Sequence, residues 1–293
     1  MTYGPAETAV VVPPPSLRRG SVWRRFRRNR LALVGLALAW LIVIAAVFAE
    51  LLTTYDPTAV DTGNTRQPPS TEHWFGTDQI GRDLFSRVVF GARVSLRVGI
   101  LATAIAVVIG VIAGSLAGYF GGFVDAVVMR ITDLFLAFPY LLAALAVITV
   151  IGPGERTVII VLGLLGWLSI ARVLRSQILQ VKEQDFIEAA HALGASDLRI
   201  IVRHVLPNSI QPVIVYATLF LGAAVLSEAA MSFLGVGIQE PTPAWGLMVA
   251  HGRRFLVPSP HLLFFPGTAI FLMVTAFVFI GDGLRDALDP KLR

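Results

Sequence analysis

A chain of 293 residues, 55% apolar and only 15% charged, with a mean hydropathy of +0.73, is not built like a soluble enzyme, in which roughly 25% of residues carry charge. It contains no cysteine, which excludes disulfides, thiolate nucleophiles and cysteine-ligated zinc or iron–sulfur centres. The net charge of +5 would suit a nucleic-acid partner, but Arg18, Arg19, Arg24, Arg25, Arg27, Arg28 and Arg30 stand directly before an apolar block, where they read as an orientation signal for a membrane helix. No nucleic-acid partner is expected.

Stretches free of Asp, Glu, Lys and Arg run over 31–49, 98–124, 134–154, 157–171, 204–227 and 255–281. A bilayer core of ~30 Å takes ~20 helical residues, and a spanning backbone must close its hydrogen bonds within the segment. Six transmembrane helices are therefore expected in an all-α membrane protein. The fourth reaches full length only by continuing past Arg172 and Arg175 to Ile178, with both arginines snorkelling to the headgroups.

The first helix, 31–52 with its flank, reads as an uncleaved anchor, because its 19 uncharged residues exceed a signal-peptide core and no clear Ala-x-Ala follows. The basic tail 1–30 then stays in the cytoplasm, and six crossings return the tail 285–293 to the same side. Residues 53–93 form an extracytoplasmic loop, and 94–284 hold the other five spans. Within that loop Leu84, Val88, Gly91 and Ala92 suggest a helix lying at the outer surface, with Arg87 and Arg93 toward headgroups. A connection of this length is either a lid over the bundle or a docking segment.

Gly110, Gly114, Gly118 and Gly122 recur every four residues, a stripe along which a second helix can approach closely. Arg130 and Asp133, three apart, can pair on one helical face. Glu228 lies inside an apolar span; an acid there faces either a wet pathway or a packed hydrogen-bond partner.

Catalytic and nucleotide-binding patterns are missing. Neither Lys182 nor Lys291 follows a glycine, so no phosphate-cradling loop of the usual kind can form. The five histidines are scattered, with no metal cluster, and no nucleophile elbow occurs. No catalytic residue, metal or cofactor is assigned to this chain, and any ATP used must be hydrolysed by another polypeptide.

The connection 182–207 is the most informative. Phe186, Ala189, Ala190 and Leu193 share a helical face, and Gly194 suits a left-handed helix stop. Ser196 can cap a second helix, Asp197 favours its first turn, and Leu198, Ile201, Val202, Val205 and Leu206 form its apolar stripe up to Pro207. Two short helices thus meet at a glycine outside the membrane. They lie either on their own bundle or against a partner.

Glu188-Ala189-Ala190, then Gly194, then Leu206-Pro207 resemble the EAA loop of permease subunits in bacterial ABC importers. RRNRLALVGLALAW at 27–40, HWFGTDQIGRDLFSRVVFGARVSL at 73–96, SFLGVGIQEPTPAWG at 232–246 and GDGLRDALDP at 281–290 are similar to one subfamily, the second (C-type) permease of dipeptide, oligopeptide and nickel importers. One departure is His204, where the family has an aliphatic residue two before the Leu-Pro.

The resemblance implies a multi-pass subunit of a bacterial inner membrane that supplies half a translocation path. Its implied partners are a homologous permease, two ATP-binding subunits that hold ATP and magnesium, an extracytoplasmic substrate-binding protein, and the lipid bilayer. The implied cargo is a peptide, with nickel or another small solute as the alternative. Glu188, Ala189, Ala190, Gly194, Leu206 and Pro207 are the implied ATPase-coupling residues. Asp78, Gly81, Arg82 and Asp83 fall in the implied outer docking loop, and Glu228 is the candidate gate. An ion-driven secondary transporter would instead show internal repeats or intramembrane carboxylate relays; only Glu228 lies deep in a span.

Overall fold

The computed structural model describes residues 19–289, so Arg18, Lys291 and Arg293, with the outer parts of both expected tails, lie outside the described residues. Two of the early helices begin where a side chain supplies an acceptor for their free amide groups. A short α1 (Arg19–Phe26) turns into α2 (Arg30–Val47), whose Asn29 side chain accepts from Ala32 N at 3.2 Å. After α3 (Ala49–Leu52) and an irregular segment, Asp83 caps α4 (Leu84–Phe120), its carboxylate accepting from Ser86 N at 2.7 Å. There follow α5 (Gly122–Leu136), α6 (Tyr140–Ile151), α7 (Glu155–Lys182), α8 (Asp185–Ala192), α9 (Asp197–Ile200), a π-helical turn (Ile201–Val205), α10 (Leu206–Ser209), α11 (Gln211–Phe233), α12 (Trp245–Gly252) and α13 (His261–Leu288).

Five helices, α2, α4, α7, α11 and α13, are long and apolar enough to cross a membrane. The sixth span is not the single helix expected over 134–154: α5 and α6 together meet the criterion but bend by 88° between them. The cause is Pro139, which lacks an amide hydrogen and disfavours helical geometry in the residue before it; it sits extended at ψ 124° and heads α6.

Residues 84–93 also depart from expectation. They do not lie flat on the surface but are the first turns of α4, a continuous 37-residue helix about 55 Å long at 1.5 Å per residue. Leu84, Val88 and Ala92 are buried beside Trp245 and Met248 of α12, and Trp245 Nε1 donates to Val88 O at 2.8 Å. A Cβ on Gly91 would stand 2.5 Å from the Trp245 ring, so glycine there lets α12 lie against α4.

The glycines Gly110, Gly114 and Gly118 face α7: a Cβ on them would come within 2.6 Å of Ile170, 2.7 Å of the Ala171 carbonyl and 2.9 Å of Ile178. Gly122 leaves the stripe because the chain exits α4 at Gly121, φ +66°. Arg172 and Arg175 do not snorkel freely: Arg172 pairs with Asp133 at 2.6 Å, and Arg175 forms a two-pronged pair with Asp125. Asp133 is thereby bound to α7 rather than to Arg130.

Around this core the surface stays apolar, with Leu41, Phe123, Val150 and Phe271 exposed, as helices bathed in acyl chains require. The two ends of the bundle differ. One carries the 53–83 segment and α12. The other carries α1, the elbow formed by α8 to α10, and the end of α13, where Arg25 donates to Asp289 O at 3.2 Å.

Candidate functional site

The elbow begins where α7 ends, and its bend is a helix stop of one definite kind. Gly194, at φ +76°, donates its amide to His191 O at 2.9 Å, while Ala195 N reaches back to Ala190 O at 3.1 Å. These two bonds form the Schellman arrangement, in which a left-handed residue satisfies the last carbonyls of a helix. A side chain at Gly194 would meet no atom within 4 Å, so the requirement for glycine is conformational rather than steric. Ser196 precedes α9 with extended backbone, but its side chain makes no capping bond.

Both elbow helices are apolar on two sides. Ile187, Ala190, Ile200, Ile201 and Val205 join the main core with α4 and α7. Phe186, Ala189, Leu193, Leu198 and Val202 remain exposed, Leu193 at 88%. The single face expected from Phe186, Ala189, Ala190 and Leu193 is therefore split, with only Ala190 inside. Glu188 and Pro207 are exposed and Leu206 is half-buried.

Sequence reasoning missed Tyr119, at the end of α4. Its hydroxyl donates to Asp197 Oδ1 at 2.8 Å and lies 3.4 Å from His191 Nε2, and its carbonyl accepts from Lys182 Nζ at 2.6 Å. One residue thereby ties α4 to the end of α7 and to both arms of the elbow. The sequence holds no signal for it, because Tyr119 and Asp197 are 78 positions apart.

The elbow continues through Pro207 and α10 directly into α11, which carries Glu228. That carboxyl is fully buried; Oε1 accepts from Ser232 Oγ at 2.7 Å, and Ser232 Oγ accepts from Ile238 N at 3.0 Å. The chain after α11 is thus hung on the helix through Glu228 and Ser232, while Glu228 Oε2 has no partner among the described residues.

Two residues further on, Glu240 enters a cluster at the opposite end of the bundle from the elbow. Arg82 grips it with two bonds of 2.6 and 3.0 Å and Asp78 with a third of 2.6 Å. Arg87 lies 3.4 Å from both Glu240 oxygens and donates to Pro57 O at 3.0 Å. Asp78 also accepts from Ile80 N and Arg82 N, and Asp83, besides capping α4, lies 2.8 Å from His73 Nδ1. Gly81 turns at φ +84° against the Asp61 carbonyl.

Asp78, Arg82 and Asp83 are each only 4% exposed, so these side chains are consumed in holding the 53–83 segment down. Arg87, expected toward headgroups, is buried because Glu240 and Asp78 neutralise it. Burial pushes the Glu240 carboxyl up, but the Arg82 hydrogen bonds and the Arg87 and Arg82 charges outweigh it and hold it below its ordinary 4.5. His251 of α12, 3.6 Å from Glu240, is pushed below its ordinary 6.5 by burial, with Arg82 and Arg87 adding to that against the pull of the carboxylates. Among the described residues no three His, Asp or Glu side chains are grouped to hold a metal ion.

Residues 106–293 match the family model described as binding-protein-dependent transport system inner membrane component, and residues 18–69 match that of the N-terminal TM domain of oligopeptide transport permease C. The dipeptide transport system permease protein DppC of Alkalihalophilus pseudofirmus is 44% identical over 287 residues, covering 96% of this chain and 94% of that protein. The glutathione transport system permease protein GsiD of Shigella flexneri is 46% identical over 272 residues, covering 92% and 90%. The fold is similar to that of the MetNI methionine ABC transporter in an inward-facing conformation, with a TM-score of 0.57 at 20% identity over 70% of this chain and 98% of that one. The chain belongs to the family of binding-protein-dependent transport system inner membrane components, the permeases of ABC importers.

Proposed function

We propose that this chain is the C-type permease of an ATP-driven importer of short peptides, that it supplies half of the translocation path, and that the elbow receives the stroke of a separate ATPase. The peptide cargo follows from the two relatives, one named for dipeptides and one for glutathione, itself a tripeptide. A homologous permease, two ATP-binding subunits carrying ATP and magnesium, and an extracytoplasmic binding protein complete the assembly. The termini and the elbow lie in the cytoplasm of a bacterial inner membrane, and the 53–83 segment faces the binding protein.

The observation that supports this reading is the exposed apolar side of the elbow. Phe186, Ala189, Leu193, Leu198 and Val202 face outward, while the opposite side is locked into the core and onto Tyr119. Exposed apolar surface rimmed by charge marks a protein contact, and an elbow fixed to α4, α7 and α11 cannot move without moving them. Asp78, Gly81, Arg82 and Asp83 act in docking indirectly, by fixing the loop whose exposed parts meet the binding protein. Glu228 braces the chain after α11 rather than lining the path.

In proteoliposomes holding the complete transporter, Gly194→Val and Glu188→Lys should leave assembly and ATP hydrolysis in place and abolish uptake of a labelled dipeptide. Gly194→Val forces a side chain into the left-handed region, at about 1–2 kcal/mol, and reorients one arm; Glu188→Lys reverses the charge beside the contact. Uptake at the unmutated rate in both variants would remove the elbow from the coupling path.

A further inference from the structure

We propose that α1 and the turn behind it form a binding site for the headgroup of an anionic phospholipid. Among the described residues, side chains on the face of this segment turned to the bundle are engaged. Phe26 is buried with Ala32 and Ala287, Arg25 donates to Asp289 O, and Asn29 Nδ2 donates to Asp286 Oδ2 at 3.0 Å. The other side carries Trp23, Arg24, Arg27 and Arg28, which line a groove of about 360 Å³. The indole is 56% exposed yet held in place, stacked on Phe26 at 5.9 Å with the rings 8° apart.

Among the described residues, Arg24, Arg27 and Arg28 form no ion pair. Arg93, Arg97, Arg172 and Arg175 are neutralised internally by Glu50, Glu155, Asp133 and Asp125. What sets Arg24, Arg27 and Arg28 apart from others without an ion pair among the described residues, such as Arg130 and Arg203, is that they line one groove beside an indole. Three guanidinium groups left open on one face present paired donors whose geometry fits phosphate oxygens. Their depth selects the source of the phosphate. Within three residues of Arg28 the chain enters α2, where Leu31 and Val34 are exposed, so the groove stands where headgroups give way to acyl chains. Indole rings favour that level, and basic residues there are drawn to anionic lipid. A lipid meets both the cations and the apolar flank, whereas free phosphate meets the cations alone.

The test uses the full-length chain in mild detergent, titrated with phosphatidylglycerol or with phosphatidylcholine of the same acyl chains, bound lipid being counted by native mass spectrometry. Phosphatidylglycerol should be retained in preference, and R24Q/R27Q/R28Q should lose that preference by roughly five-fold for each arginine. If the triple variant does not fold, R27Q carries the test, since Arg27 lies beyond α1 and has no side-chain partner among the described residues; it should lose about five-fold. Equal retention of both lipids by the unmutated chain, or an undiminished preference in the folded variants, overturns the proposal. Displacement of phosphatidylglycerol by millimolar inorganic phosphate assigns the groove to free phosphate and overturns it too; lipid that stays bound supports it.

Discussion

Glu240 ties distant parts of the chain together at its end of the bundle. Its carboxylate joins Arg82 and Arg87, contributed by chain more than 150 positions earlier, so both guanidinium groups can be buried at all. Removing one member of such a cluster leaves the others in low dielectric without their counter-charge. Glu240→Gln should therefore destabilise the chain by on the order of 2 kcal/mol, softened by the partial exposure of the carboxylate. The acid response follows from two depressed groups. A carboxyl held below 4.5 contributes stability above that value and loses it as pH falls through its lowered folded-state value. His251, held below 6.5, also favours the folded state above its ordinary value, because the unfolded chain takes up the proton first. Unfolding midpoints in detergent should fall as pH drops below 6.5 and more steeply below 4.5, and Glu240→Gln should flatten the lower limb. An unchanged lower limb in that variant would show that the cluster does not set acid stability.

Among the elements, α4 packs on α7 through glycine; the stripe was legible in the sequence because a four-residue repeat maps directly onto one helical face, but its partner helix was not. Gly114→Val should cost about 1–3 kcal/mol by overpacking, since its Cβ would press on backbone, the Ala171 carbonyl at 2.7 Å and Cα at 3.0 Å, which cannot rotate away. Gly267→Val, at a glycine inside α13 where a Cβ would meet nothing within 4 Å, is the matched control and should leave the unfolding midpoint of the detergent-solubilised chain unmoved or slightly raised. Equal midpoints for the two variants would mean that the contact is looser than its geometry. The elbow was legible for the same reason of local pattern: its glycine stop and its two arms lie within thirty residues of sequence. What periodicity could not assign was which side of each arm faces inward, because Phe186 and Ile187, or Leu198 and Ile200, are equally apolar neighbours. Nor could it foresee the break at Pro139, which falls inside an uncharged run, or the partners of Tyr119 and Glu240, which lie far away along the chain and are chosen by tertiary packing alone.

At the scale of the whole molecule, the elbow and the Glu240 cluster stand at opposite ends and are joined by α11. Its 23 residues give a rod of about 35 Å, entered from Pro207 and Ser209 and left through the Glu228–Ser232–Ile238 brace. A displacement delivered to the elbow thereby has a stiff route to the segment that closes the other end. The coupling proposed above requires one orientation in the membrane, with the elbow on the cytoplasmic side. The arginines between positions 24 and 30 favour that orientation, since basic flanks of a first helix stay in the cytoplasm, and they stand at the elbow's end of the bundle. Because the chain has no cysteine, every cysteine introduced is a unique reporter. Glu72→Cys and Ser196→Cys place one on each end at exposed positions without removing a side-chain contact of the elbow, as Ser196 makes no capping bond. A membrane-impermeant maleimide should label Glu72→Cys in intact cells and Ser196→Cys only after the membrane is opened. The reverse pattern would place the elbow outside, beyond reach of any cytoplasmic ATPase, and the coupling assigned to it would be lost.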